Sequence, residues 1–120
     1  MSTKVRWLRL LAILFLAIML LGIFIGGRQP GAGSLFPEPW DKLVHLACYA
    51  TLTIMTAIAF PKLPLPILLV IIVSIGASDE IAQTYIPGRS ADIEDYVADF
   101  LGSLMTLGPI YWLQKKFSWR

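Results

Sequence analysis

The sequence predicts an all-α, polytopic membrane protein, with four transmembrane helices in an antiparallel bundle forming one domain over residues 1–120. Composition points there first: 57% of the 120 residues are hydrophobic and the mean hydropathy is +0.70, too oily for an ordinary soluble domain. Uncharged runs then cover Leu10–Gly27, Leu43–Pro61, Leu63–Ser78 and Phe100–Gln114. Finally, the charges sort by side. Seven of the ten basic residues, Lys4, Arg6, Arg9, Lys62, Lys115, Lys116 and Arg120, fall on one face of a four-span arrangement, and Arg28, Lys42, Arg89 and all eight acidic residues fall on the other. The positive-inside rule places both termini in the cytoplasm. Because the bases follow topology rather than forming a patch, the net charge of +2 does not point to nucleic acid.

Lys4, Arg6 and Arg9 ahead of the first run imitate a secretory signal peptide. The run is long for an h-region and no A-x-A site follows it, so it reads as a retained helix over about residues 7–25. With no polar residue in its apolar stretch, its expected work is to complete the bundle. Residues 26–39, rich in Gly and Pro, read as an outer loop. Helix two is expected over 42–60 with Asp41 as its cap. The sequence Pro61-Lys62-Leu63-Pro64 makes a tight inner turn before helix three over 65–85. An outer turn at Ile86-Pro87-Gly88-Arg89 leads to helix four over 91–113, capped by Asp92. A span needs about 20 residues, and helices three and four reach that length only by taking in the acids beside them. Trp7, Tyr111, Trp112 and Trp119 would belt the inner interface, and Trp40 and Tyr85 the outer one. The single cysteine, Cys48, excludes an intrachain disulfide and is expected to pack.

Carboxylates inside hydrocarbon are costly unless they line a polar cavity, pair or bind a cation, so they mark a functional site. Asp41, His45 and Tyr49 share one face of helix two at i, i+4, i+8. Glu80 and Gln83 pair at i, i+3 on helix three, and Asp92, Asp95 and Asp99 form one stripe on helix four. Gly102 and Thr106 extend that stripe inward and let another helix approach closely. Three helix ends thus carry polar stripes at matching depth. His45, Glu80 and Asp95 are the candidate catalytic groups, with Arg89, Gln83, Tyr49, Asp92 and Asp99 as candidate substrate contacts. Glu94 points off the stripe toward solvent, and Lys42 and Asp79 read as interfacial.

The ordered pattern Asp41-Lys42-x-x-His45-x-x-x-Tyr49, Glu80-x-x-Gln83-x-x-x-Pro87-Gly88-Arg89 and Asp95-x-x-x-Asp99-x-x-Gly102 resembles the VanZ-like family. The resemblance covers roughly residues 40–108 and leaves out helix one. It implies a small protein of the bacterial cytoplasmic membrane in a cell-envelope context, the family being named for a member linked to low-level teicoplanin resistance. The family pattern often has Asn where this chain has Asp99, which adds a carboxylate.

Two functions fit these residues. One is an enzyme acting by acid/base chemistry on an envelope lipid or lipid-linked intermediate, with His45 and a carboxylate as the proton-handling pair and Arg89 holding an anion. The other is a non-enzymatic lipid or glycopeptide-antibiotic binder, or a small proton-linked carrier. Four helices are few for alternating access unless the chain forms a homo-oligomer. A divalent cation would relieve the repulsion between the carboxylates and a lipid phosphate, although no metal-ligand spacing of the H-E-x-x-H kind appears. A structural cluster that merely glues the bundle ranks last, since interhelical hydrogen bonds in lipid average under about 1 kcal/mol.

Overall fold

A computed structural model describes residues 2–29, 35–86 and 92–117. Those residues form four long helices: α1 (Thr3–Phe24), α2 (Trp40–Ala59), α3 (Leu65–Gln83) and α4 (Ile93–Lys116). A short 3-10 turn, Gly26–Arg28, follows α1, and there is no strand among the described residues.

Helix limits differ from expectation where capping, not hydrophobicity, sets them. Helix α1 starts at Thr3 rather than near residue 7, because Ser2 Oγ accepts the Val5 N–H at 3.3 Å. Asp41 does not cap α2. Pro39 stands at that position without a side-chain bond, and Asp41 lies in the first turn, where it accepts from Lys42 Nζ. Helix α3 stops at Gln83, two residues early, and its backbone passes into turn hydrogen bonds at Thr84, Tyr85 and Ile86. Asp92 does cap α4, its Oδ1 accepting the Glu94 N–H at 2.9 Å. That helix continues to Lys116, with Lys115 and Lys116 in the last turn where positive charge suits the helix dipole.

Helix α2 is central, packing on α1 and most extensively on α4, while α3 rests on α4 and α2. Tyr49, Leu52, Leu68, Ile72 and Ile110 form the core, joined from α1 by Ala12 and Leu16. Gly102 lies against α2: a Cβ there would run into the Leu46 carbonyl. Thr53 and Ser103, both fully buried, pair their hydroxyls across the same seam at 2.9 Å. At the opposite end from the acids, Arg9 Nε donates to the Ala59 carbonyl at 3.3 Å.

Helices α1, α2 and α3 are each long and apolar enough to cross a membrane. Their outward faces expose large apolar side chains such as Leu11, Leu43 and Val70, the surface that hydrocarbon would cover. Trp7, Trp40, Tyr85, Tyr111 and Trp112 are all more than half exposed. Trp119 lies outside the described residues.

Candidate functional site

The acidic end of the bundle gathers side chains from three helices. Helical spacing puts Lys42, His45 and Tyr49 of α2 toward α4, and the stripe on α4 turns Asp95 and Asp99 toward α2. Lys42 Nζ sits among carboxylates, at 2.6 Å from Asp95 Oδ1, 2.8 Å from Asp92 Oδ2 and 3.0 Å from Asp41 Oδ2. Glu38 Oε1 is 3.9 Å away. The ammonium beside it holds the Asp92 carboxyl below the ordinary carboxylate range.

One turn deeper, His45 Nδ1 pairs with Asp99 Oδ1 at 2.8 Å. Its other ring nitrogen, Nε2, lies 3.8 Å from Asp95 Oδ2, beyond hydrogen-bond reach. Asp99 is 1% exposed, so the imidazole is oriented by a carboxylate sealed from water. From α3, Glu80 Oε2 accepts the backbone N–H of Asp92 at 3.1 Å, which ties the end of α3 to the cap of α4. Gln83 Nε2 donates to Asp79 Oδ2 at 3.4 Å.

Several buried oxygens have no hydrogen-bond partner among the described residues: Glu80 Oε1, Asp99 Oδ2, Tyr49 OH and Asp41 Oδ1. Such atoms cost about 1–3 kcal/mol each when nothing meets them. His45, Glu80 and Asp99 each offer a ligand atom, and the three atoms lie within 4.8 Å of one another. Beside this cluster is a cavity of about 420 Å³. Asp41, His45, Tyr49, Asp79, Gln83 and Asp95 supply its polar wall, and Gly22, Ile23, Leu35, Phe36 and Val44 its apolar one. An amphiphile with a polar head and an apolar body matches that division.

The sequence-derived residues are thus distributed as follows. His45, Glu80 and Asp99 converge, whereas Asp95 pairs with Lys42 and stops 3.8 Å short of His45. Tyr49 and Gln83 line the cavity, and Asp92 bridges Lys42 and Glu80. Arg89 lies outside the described residues. Glu94 is exposed, as expected. Lys42 and Asp79, read as interfacial, are instead built in: Lys42 holds the acids of α4, and Asp79 is 7% exposed. The Lys42 signal was present in the sequence, since it stands one turn before His45 on the face turned to the Asp stripe. Helix α1, expected to complete the bundle, also lends its last turn to the cavity wall.

These features define a helical membrane protein with an internal His–carboxylate site. The chain belongs to the VanZ/LLP1 family, whose model matches residues 7–114. The match takes in α1, which the motif resemblance over 40–108 had left out. No curated protein and no solved structure matches the chain.

Proposed function

We propose that the protein is a four-span antiparallel bundle of the bacterial cytoplasmic membrane, with both termini cytoplasmic, whose outer end performs acid/base chemistry on an envelope lipid or lipid-linked intermediate. Contacts between helices favour the topology: Arg9 meets Ala59, Glu80 meets Asp92, and Lys42 meets Asp92 and Asp95. Helix α4 falls short on apolarity because its first turns carry Glu94, Asp95 and Asp99, but residues from Phe100 to Gln114 are uncharged. Its polar end would stand at the outer margin of the bilayer. Cysteines introduced at Leu35 and Lys62, in a Cys48→Ala background, should label from outside and inside respectively. The reverse pattern would move the site to the cytoplasmic face.

The observation that carries the chemistry is His45, at the polar wall of the cavity, paired with the buried Asp99. A carboxylate on one ring nitrogen fixes the orientation of the imidazole and leaves the other to exchange a proton with a bound head group. Glu80 supplies a second acid beside it. The head group would meet this wall while its apolar chain lies against α1 and the loop at Leu35 and Phe36.

The test compares envelope lipids, by mass spectrometry, from cells carrying wild type or His45→Ala at matched membrane levels. At least one lipid species should change with wild type and not with the variant. Identical lipid profiles would remove the enzymatic reading. If wild type nonetheless copurifies with a lipid that His45→Ala loses, the protein is a binder.

A further inference from the structure

We propose that His45, Glu80 and Asp99 bind one divalent transition-metal ion, and that this ion receives the phosphate of the lipid head group. The second half rests on the function proposed above; the ion site stands without it. An acidic cluster is unremarkable when solvated, but here Asp99 is 1% exposed and Glu80 5%. Each keeps one oxygen without a hydrogen-bond partner among the described residues, although its other oxygen is engaged. Two buried carboxylate oxygens without a partner beside an imidazole are donors suited to a cation.

Geometry and chemistry agree with an ion. The three ligand atoms lie within 4.8 Å of one another; a bound ion would take the place of the proton that His45 Nδ1 shares with Asp99 Oδ1 and would supply the acid through its own bound water. Metal–ligand distances of about 2.0–2.2 Å require ligand atoms roughly 3–3.6 Å from each other, so atoms at the 4.8 Å limit would draw closer on binding. One imidazole with two carboxylates suits Mn²⁺ or Zn²⁺ better than Ca²⁺ or Mg²⁺, which favour oxygen alone.

A separate observation comes from Tyr49, which is 2% exposed and whose OH has no partner among the described residues. A Cβ on Gly76 would stand 3.3 Å from Asp99 Oδ2 and 3.5 Å from Tyr49 Cε1, so both side chains pack against the same point of α3. Six carboxylates (Asp41, Asp79, Glu80, Asp92, Asp95 and Asp99) surround Lys42 and His45 in this zone, and an anionic head group would be repelled without added positive charge.

The full chain, metal-stripped and reconstituted in phosphatidylcholine nanodiscs, is titrated with Zn²⁺ and with Mn²⁺. One ion per chain is expected. Affinity should fall on the order of tenfold or more in Glu80→Gln and in Asp99→Asn, and stay unchanged in the exposed Glu94→Gln. Because a buried variant can misfold, wild-type protein loaded with Mn²⁺ provides a second readout: pulsed EPR should show coupling to a histidine nitrogen, and His45 is the sole histidine. Binding that is substoichiometric, equal in all variants and without nitrogen coupling would mean an adventitious ion only and overturn the site. Lipid changes that persist after chelation would also overturn the ion's part in the reaction while leaving the function. A bound ion with no lipid change would overturn the function and leave the site.

Discussion

Along the α2–α4 seam, Gly102 lies against the backbone of Leu46, Thr53 pairs with Ser103, and Asp99 holds His45. Helix α1 meets the bundle differently: its buried residues are Ala12 and Leu16, and Arg9 reaches a backbone carbonyl of α2. The seam has backbone contact, paired hydroxyls and charge in one line, so small displacements there are felt at His45. The flank has apolar contact that lipid can replace at little cost, because acyl chains are as apolar as Leu. On the function proposed above, chemistry and precision belong to the seam, and α1 would serve as a wall against which an apolar chain can lie.

The largest expected difference between the two regions is in activity. Replacing His45 with Ala should lower any lipid conversion by about 10²-fold or more, the usual worth of a positioned proton-transfer group. Glu80→Gln should leave a folded, membrane-inserted protein that no longer confers its envelope phenotype. On the flank, Ile18→Ala, at a position 58% exposed, should leave conversion unchanged. Conversion assays at matched membrane levels separate the two. Full activity in Glu80→Gln would take the second acid out of the site.

Next in size is a stability contrast between two glycines. A Cβ on Gly102 would meet the Leu46 carbonyl, backbone that cannot turn aside, so Gly102→Ala should cost about 3 kcal/mol. Gly22, in the last turns of α1, has nothing within 4 Å of such a Cβ. There Gly22→Ala should be neutral or stabilising by about 0.5–1 kcal/mol. Reversible unfolding in mixed micelles measures both. Equal effects would mean that the seam is no tighter than the flank.

What could be read in advance follows the same division. Four helices, the Asp92 cap and the gathering of acids at one end were legible, since apolar runs and i, i+3, i+4 spacing report directly on helix faces. Gly102 also announced a close approach. Less legible was which carboxylate meets His45: Asp95 and Asp99 share a stripe, and the rotation and depth of α4 against α2 decide between them. Helix ends at Ser2 and Pro39 escaped because hydrophobicity does not record capping. Asp79 looked interfacial beside Glu80, and its burial depends on how α3 is rotated.

Lys42 gives the next test. Its ammonium stands between Asp92 and Asp95, at 2.8 and 2.6 Å, with its side chain 20% exposed. Lys42→Met keeps the apolar stem and removes the charge, leaving acids of α2 and α4 to repel at partial depth. A loss of about 1–2 kcal/mol is expected, less than for a sealed pair because solvent reaches the group. Added salt should recover part of it. No loss would show that the network adds little to stability, and that Lys42 is kept for the charge balance of the site.

The smallest effect expected concerns the hydroxyls. Thr53 and Ser103 are fully buried and pair at 2.9 Å, while Thr53 Oγ also contacts its own helix at the Tyr49 carbonyl. Thr53→Val keeps the shape and deletes the pair. Interhelical hydrogen bonds in lipid average about 0.6 kcal/mol, because the separated helices find partners of their own. Ser103 can likewise turn to a carbonyl of the preceding turn, as buried serines in helices do. The expected loss is therefore about 0.6 kcal/mol. Thr51, whose hydroxyl bonds only the Ala47 carbonyl of its own helix, gives the matched control, with no measurable change expected in Thr51→Val. Unfolding of both variants under the same micelle conditions provides the comparison. A loss near 2 kcal/mol at Thr53 alone would mean that the seam depends on its hydroxyl pair as much as on the close approach at Gly102.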